Sequence, residues 1–299
     1  MYEKFYQLNC QPFSLLPDPA FLFSSRQHAM ALTLLQYSLV SKHPFTVITG
    51  EVGAGKTTLI NRLLQDINNR HTVGLINFTD RRVVSLWPWI MAAFDLPYNG
   101  RSTARMHDEL GQFLHAARQR TETTVLIVDE AQNLSPKALE NLRILSNVNT
   151  NEMLLQMILV GQPEFLETLK RPDLRQLNQR ITMLYKVESL SELETREYVA
   201  HRLKVAGGRP QVFSADAVAR IWAASKGIAR NINTLCDLAL VYGYCNHKPT
   251  IDAVVVEEML ADRRGLVVTT EPVRQPLGRT QPPEAPLPAG RNDALRWAT

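Results

Sequence analysis

One stretch, Gly50-Glu51-Val52-Gly53-Ala54-Gly55-Lys56-Thr57, constrains this chain more than any other, because of what flanks it. Phe45 to Thr49 before it is a short, apolar, β-branched run. Thr57 to Ile67 after it sets Leu59, Ile60, Leu63, Leu64 and Ile67 on one helical face. A GxxxxGK[ST] pattern between a strand and a helix predicts a loop whose glycines let the backbone wrap an anion. Its N–H groups and the helix N-terminus then point at phosphates. The expected nucleotide contacts are Gly50, Glu51, Val52, Gly53, Ala54, Gly55, Lys56, Thr57 and Thr58. Lys56 is expected to reach the β- and γ-phosphates and Thr57 to hold Mg²⁺, so ATP and Mg²⁺ are the implied ligands.

A second element completes this chemistry. Val125 to Val128 reads as a buried strand that delivers Asp129 and Glu130 to its C-terminal end, the edge where open α/β sheets bind ligands. Asp129 is expected on the Mg²⁺ shell, with Glu130 polarising the attacking water. Taken alone, such an acidic pair also reads as a helix cap; paired with the glycine loop it reads as a site. Val160-Gly161-Gln162 ends another strand, and Gln162 reaches γ-phosphate or the water if that strand lies beside the first; otherwise it is a loop amide. Arg230 stands at the start of an apolar-faced helix. A cation there opposes the helix dipole, so an anionic partner such as nucleotide phosphate explains it. Arg175 and Arg180, before the last strand, are candidates for an arginine supplied to a neighbouring subunit's nucleotide. They lie about 140° apart on a helix, and Arg180 is preferred because it abuts the strand.

The wider pattern predicts an α/β fold: a parallel, doubly covered sheet followed by an all-helical domain. Ser24 or Ser25 is expected to cap a helix running to about Leu39. Strands are expected at Val73 to Phe78, Thr124 to Val128, Leu154 to Val160 and Ile181 to Val187. Helices are expected over 84–95 and 103–120 and after Ser135. After Ser189 the strands stop and residues 191–262 read as four helices, with Ile232, Leu235, Cys236, Ala239 and Tyr242 on one face. The expected division is an N-terminal segment 1–24, an α/β nucleotide-binding domain 25–189, a helical lid 190–265 and a proline-rich, disordered tail 266–299. Pro283 and Pro286 in the tail form a PxxP.

Composition narrows the partners. The net charge is +4 and six arginines fall in the last 37 residues, so the folded part is close to neutral and a general nucleic-acid field is not indicated. Cys10, Cys236 and Cys245 show no CxxC spacing, which argues against a zinc site and a disulfide framework and fits a reducing cytoplasm. No apolar run approaches the ~20 residues of a membrane helix, so membrane association is expected only through a partner.

With these residues in view, the chain resembles the AAA+ ATPases, and specifically the general-secretion-pathway A (ExeA-like) family. That family includes ATPases associated with exosortase and with mannose-sensitive pilus assembly. The resemblance rests on Pro12-Phe13 with Pro17-Asp18-Pro19, on Gly50 to Thr58, on Asp129-Glu130-Ala131-Gln132-Asn133-Leu134 and on Gly161-Gln162-Pro163-Glu164. It also rests on Leu174 to Ile181 and Arg230-Asn231-Ile232-Asn233, and it spans residues 1 to about 262. It implies an ATP hydrolase with a helical lid. Gln162 takes the first sensor position, Arg230 the second sensor, and Arg180 or Arg175 the trans-acting arginine. It further implies a homo-oligomer and a membrane-embedded secretion, pilus or polysaccharide-export partner. A DNA-linked relative, such as a transposition helper or initiator, is the alternative. Two departures stand out: Ala229 precedes Arg230 where the family usually has proline, and the membrane and cell-wall-binding segments that follow the ATPase in longer members have no counterpart here.

Overall fold

Three strands of this protein are apolar on both faces, and the architecture follows from that. The computed structural model describes residues 1–16, 18–67, 71–77, 85–120, 123–150 and 152–266. In chain order the elements are α1 (Arg26–Val40), β1 (Phe45–Gly50), α2 (Lys56–Ile67), β2 (His71–Asn77), α3 (Trp87–Ala93), α4 (Thr103–Arg118), β3 (Thr123–Asp129), α5 (Pro136–Leu145) and β4 (Leu155–Gly161). They continue as α6 (Glu164–Leu169), α7 (Arg175–Asn178), β5 (Ile181–Val187), α8 (Glu192–Val205), α9 (Ala215–Ser225), α10 (Ala229–Cys245) and α11 (Ala253–Leu266).

The five strands form one parallel sheet in the order β2-β3-β4-β1-β5. Parallel strands need crossovers that lay helices on the sheet faces, so a central strand is buried on both sides. Every residue of β1, β3 and β4 is buried. Successive side chains of β3 show how both faces are filled. Val125 and Ile127 join Leu35, Leu59, Ile60 and Leu63 of α1 and α2, while Leu126 and Val128 join Ile90, Leu110 and Leu142 of α3, α4 and α5. The edge strands differ from the continuous burial expected of them. Exposure alternates along β5, because successive side chains point to opposite faces of the sheet and one of those faces is less covered at this edge.

Helix starts follow local chemistry. Ser25, Ser102, Ser135, Ser191 and Ser214 each accept a hydrogen bond from a first-turn N–H, and Ser191 with Glu194 forms a full capping box. The helix expected over 84–95 is the shorter α3: Pro88 sits in its first turn, and Asp95 just beyond it takes φ 55°. Phe78 and residue 84, expected at the ends of β2 and α3, lie outside the described residues, as do the tail from 267 onward and its PxxP.

Helices α8 to α11 build a second core around Leu203, Ile221, Leu235, Cys236, Leu240 and Val255, and the N-terminal segment adds Tyr2, Tyr6, Phe13 and Phe21 to it. Arg202 ties the two together from a buried position. Its guanidinium donates to the Pro12 and Ser14 carbonyls and to the Tyr198 hydroxyl, and stacks 4.7 Å from the Phe21 ring centroid. Among the described residues, no helix is long and apolar enough to cross a membrane.

Candidate functional site

The C-terminal ends of β1, β4 and β3 lie side by side, and the loops leaving them meet in one place. Thr49 pairs with Gly161 in register, so Gln162 follows directly beside the glycine loop that leaves β1. Asp129 ends β3, on the other side of β4. Thr57 Oγ1 donates to Asp129 Oδ2 at 3.1 Å, joining residues 72 positions apart. That hydroxyl and that carboxylate are hard oxygen donors on adjacent sides of one point, the donor set that suits Mg²⁺.

The loop is shaped for close approach of an anion. Gly53 and Gly55 take φ 81° and 93°, the left-handed region that side-chain-bearing residues avoid. A Cβ at Gly53 would lie 2.5 Å from the Arg230 Cβ, and one at Gly55 would lie 2.8 Å from His28 Nε2. Lys56 is 6% exposed, and its ammonium donates to the Gly50 and Glu51 carbonyls at 2.7 and 2.9 Å. Burial pulls its pKa below the ordinary lysine value, while the carboxylates of Glu130, Asp129, Glu51 and Glu164 oppose that fall. A desolvated cation held only by loop carbonyls is placed to meet phosphate oxygens.

Glu130 leaves β3 in the left-handed region at φ 55°. Its N–H donates to Asp129 Oδ1 at 2.9 Å, and its Oε2 accepts from the Gln132 side-chain amide and, at 3.4 Å, from Gln162 Nε2. Asp129, Glu130, Gln162, Lys56 and Thr57 are thus gathered together.

Arg230 approaches from the lid. It is the second residue of α10, and its backbone N–H donates to the Gly53 carbonyl at 3.3 Å, so the glycine loop occupies one of the unpaired N–H groups of the lid helix. A cavity of about 430 Å³ runs between loop and lid, lined among others by Lys56, Glu130, Arg230, Tyr198, Arg202 and Asn233. Arg180 is not brought to it. Arg180 precedes β5 at the N-terminal end of the strands, opposite the end that carries the site, where its guanidinium donates to the Ser146 hydroxyl and, at 3.4 Å, to the Arg143 carbonyl. Arg175 opens α7 and is exposed.

Three residues of this neighbourhood were not singled out by sequence reading. His28 Nε2 lies 2.9 Å from the Ala54 carbonyl and its Nδ1 lies 2.7 Å from Ser25 Oγ. A carbonyl only accepts, so the proton sits on Nε2 and the Ser25 hydroxyl donates to Nδ1. Burial pulls the His28 pKa below its ordinary value. Gln132 and Arg202 are the other two. The serine three residues before His28 signals a cap, and nothing local signals a loop contact.

Residues 40–169 match the family model described as AAA domain. The chain is 39% identical over 255 residues to general secretion pathway protein A of Aeromonas hydrophila, an alignment covering 83% of this chain and 46% of that protein. This chain therefore spans about half the length of that relative. Among solved structures, Drosophila ORC bound to DNA superposes with a TM-score of 0.64 at 17% identity, over 85% of this chain and 64% of that one. The ORC2 protein of Aeropyrum pernix gives 0.62 at 16% identity, over 85% and 72% of the two chains. A Walker-type ATPase of Pyrococcus abyssi gives 0.56 at 17% identity, over 86% and 77%. At these identities the structural likeness establishes the fold alone.

Proposed function

From the premise that this chain belongs to the AAA ATPases of the general secretion pathway protein A type, we propose that it hydrolyses ATP to drive or regulate the assembly of a secretion, pilus or polysaccharide-export system. The observation that carries the chemistry is the Thr57 to Asp129 hydrogen bond of 3.1 Å beneath a loop with two glycines at positive φ. The main-chain N–H groups of Gly50 to Thr58 cradle the phosphates, and Lys56 neutralises charge on them. Thr57 and Asp129 would hold Mg²⁺, and the chemistry it would supply there is charge withdrawal from the phosphate oxygens. Glu130 orients the attacking water and accepts its proton, Gln162 contacts the γ-phosphate, and Arg230 carries the state of the nucleotide to the lid.

Arg180, remote from its own chain's cavity, serves a neighbouring copy in an ATP-dependent homo-oligomer, and Arg175 is its substitute. A membrane-embedded component is the proposed partner, because the curated relative is a secretion protein. DNA-linked action is the alternative, and a salt-dependent stimulation of ATPase by DNA would raise it.

The decisive experiment compares equilibrium ATP binding with single-turnover hydrolysis. Lys56→Ala is expected to lose nucleotide binding and keep its fold. Glu130→Gln is expected to bind normally and hydrolyse at least about 100-fold more slowly, at the lower end of what general-base loss costs. Wild-type turnover in Glu130→Gln would remove it as the water-activating group. For the oligomer, Arg180→Ala is expected to bind ATP yet hydrolyse poorly, and mixing it with Lys56→Ala to restore activity. An inactive mixture of co-assembled variants would remove Arg180 from that role.

A further inference from the structure

The geometry points to Gln132 as a positioning residue that holds Glu130 in its working orientation and couples it to the end of β4. The inference rests on the assignment of Glu130 as the group that activates water. Three contacts carry it. The Gln132 Oε1 accepts the backbone N–H of Gln162 at 3.0 Å, across 30 positions of sequence. Its Nε2 donates to Glu130 Oε2, and Gln162 Nε2 donates to the same oxygen at 3.4 Å. A backbone N–H only donates, so the amide cannot be turned round: its oxygen must face Gln162 and its NH₂ must face the carboxylate. Both amides fall on Oε2, which leaves Oε1 as the oxygen that can take a proton from water.

Local backbone puts the amide there. Glu130 sits at φ 55°, and a short turn follows in which Asn133 N–H donates to the Glu130 carbonyl at 2.9 Å. The turn folds residue 132 back over residue 130. The left-handed conformation of a non-glycine residue is costly and persists only where its surroundings hold it, and the Gln132 amide is such a hold. On the facing strand Gly161 leaves space: a Cβ there would sit 3.2 Å from Gln132 Oε1. A carboxylate free to rotate would spend most of its time out of line with the water. Tethering it to the strand that carries Gln162 also makes the Glu130 orientation follow any displacement of that strand end when γ-phosphate is engaged.

The test uses Gln132→Ala, which removes the amide, and Gln132→Glu, which keeps its shape and its acceptor for the Gln162 N–H but turns the donor facing Glu130 into a like charge. Three quantities are measured on the full chain: affinity for a fluorescent ATP analogue, single-turnover hydrolysis, and affinity for ADP with aluminium fluoride, a mimic of the transferring phosphoryl group. Gln132→Ala is expected to hold ATP affinity within about twofold while hydrolysis and transition-state-mimic affinity both fall by roughly 10- to 100-fold. Gln132→Glu is expected to fall further in both. Equal losses of ATP and mimic affinity would mark a merely structural residue and overturn the proposal, as would hydrolysis within about twofold of wild type in Gln132→Ala. Glu130→Gln, run alongside, separates the two levels. If it is inactive while Gln132→Ala is active, only the positioning role fails. If it turns over like wild type, the water-activating assignment fails and this inference with it.

Discussion

The two walls of the nucleotide cavity are built by opposite means. On the sheet side, Asp129, Glu130 and Gln162 stand at the ends of neighbouring parallel strands with unbroken ladders, Thr57 reaches them from the first turn of α2, and side chain meets side chain. On the lid side, contact with the loop runs through the Arg230 N–H to the Gly53 carbonyl, with α10 packed so close that Gly53 has no room for a Cβ. Three buried strands must unpair before the sheet wall changes, whereas the lid wall changes when one long hydrogen bond and a few van der Waals contacts are lost. On the proposed function, hydrolytic geometry is expected to depend on the sheet, and affinity and signalling on the docking of the lid.

The largest effect is expected at Gly53, where loop and lid touch. Gly53→Ala puts a side chain at φ 81° and 2.5 Å from the Arg230 Cβ, forcing loop and lid apart. ATP affinity is expected to fall about 100-fold, equivalent to ~2.7 kcal/mol. The melting temperature should fall by no more than the few degrees that one strained loop position costs, since neither core is entered. Equilibrium titration with a fluorescent ATP analogue, paired with thermal unfolding, checks both halves. A variant that binds normally would show that the lid wall is not what holds the nucleotide.

A smaller effect is expected where the lid joins the sheet domain. Gly227 is buried at φ 70°, its carbonyl accepts the Leu190 N–H at 2.9 Å, and it has no space for a Cβ, which would lie 2.1 Å from the Leu190 carbonyl oxygen. The Trp222 indole N–H bonds the same carbonyl at 3.0 Å. Gly227→Ala is expected to destabilise the lid by about 2 kcal/mol, the cost of a strained backbone position. Denaturant unfolding followed by Trp222 fluorescence should shift to lower midpoint, while hydrogen exchange in β1, β3 and β4 stays slow. Equal loosening of sheet and lid would mean that the two walls unfold as one.

His28 gives the smallest and most specific effect. Its folded pKa is depressed by burial below the ordinary 6.5. As pH falls through ~6.5 the unfolded chain takes up a proton that the folded site resists. The stabilising contribution of neutral His28 is therefore complete above that value and is lost as pH falls from there through the folded pKa. His28→Gln, whose amide N–H can still reach the Ala54 carbonyl, is expected to flatten that part of the stability curve. An unchanged pH dependence would show that another group titrates there.

Sequence alone determined what is carried by contiguous pattern. The glycine loop lies within eight residues between a strand and a helix, so its phosphate chemistry is written locally, and Asp129-Glu130 is legible because a buried apolar run announces the strand that delivers it. Tertiary structure alone decided the rest, because those roles arise between side chains that no local rule connects. The β2-β3-β4-β1-β5 order put Gln162 beside the loop, and the parallel run of β5 along β1 put Arg180 at the N-terminal end of the sheet, away from the loop. His28 reached Ala54 across 26 positions, Gln132 reached Gln162 across 30, and Arg202 reached Pro12 across 190. A buried polar group must find its partner wherever the chain has folded one to it, and that requirement becomes visible only once the packing is known.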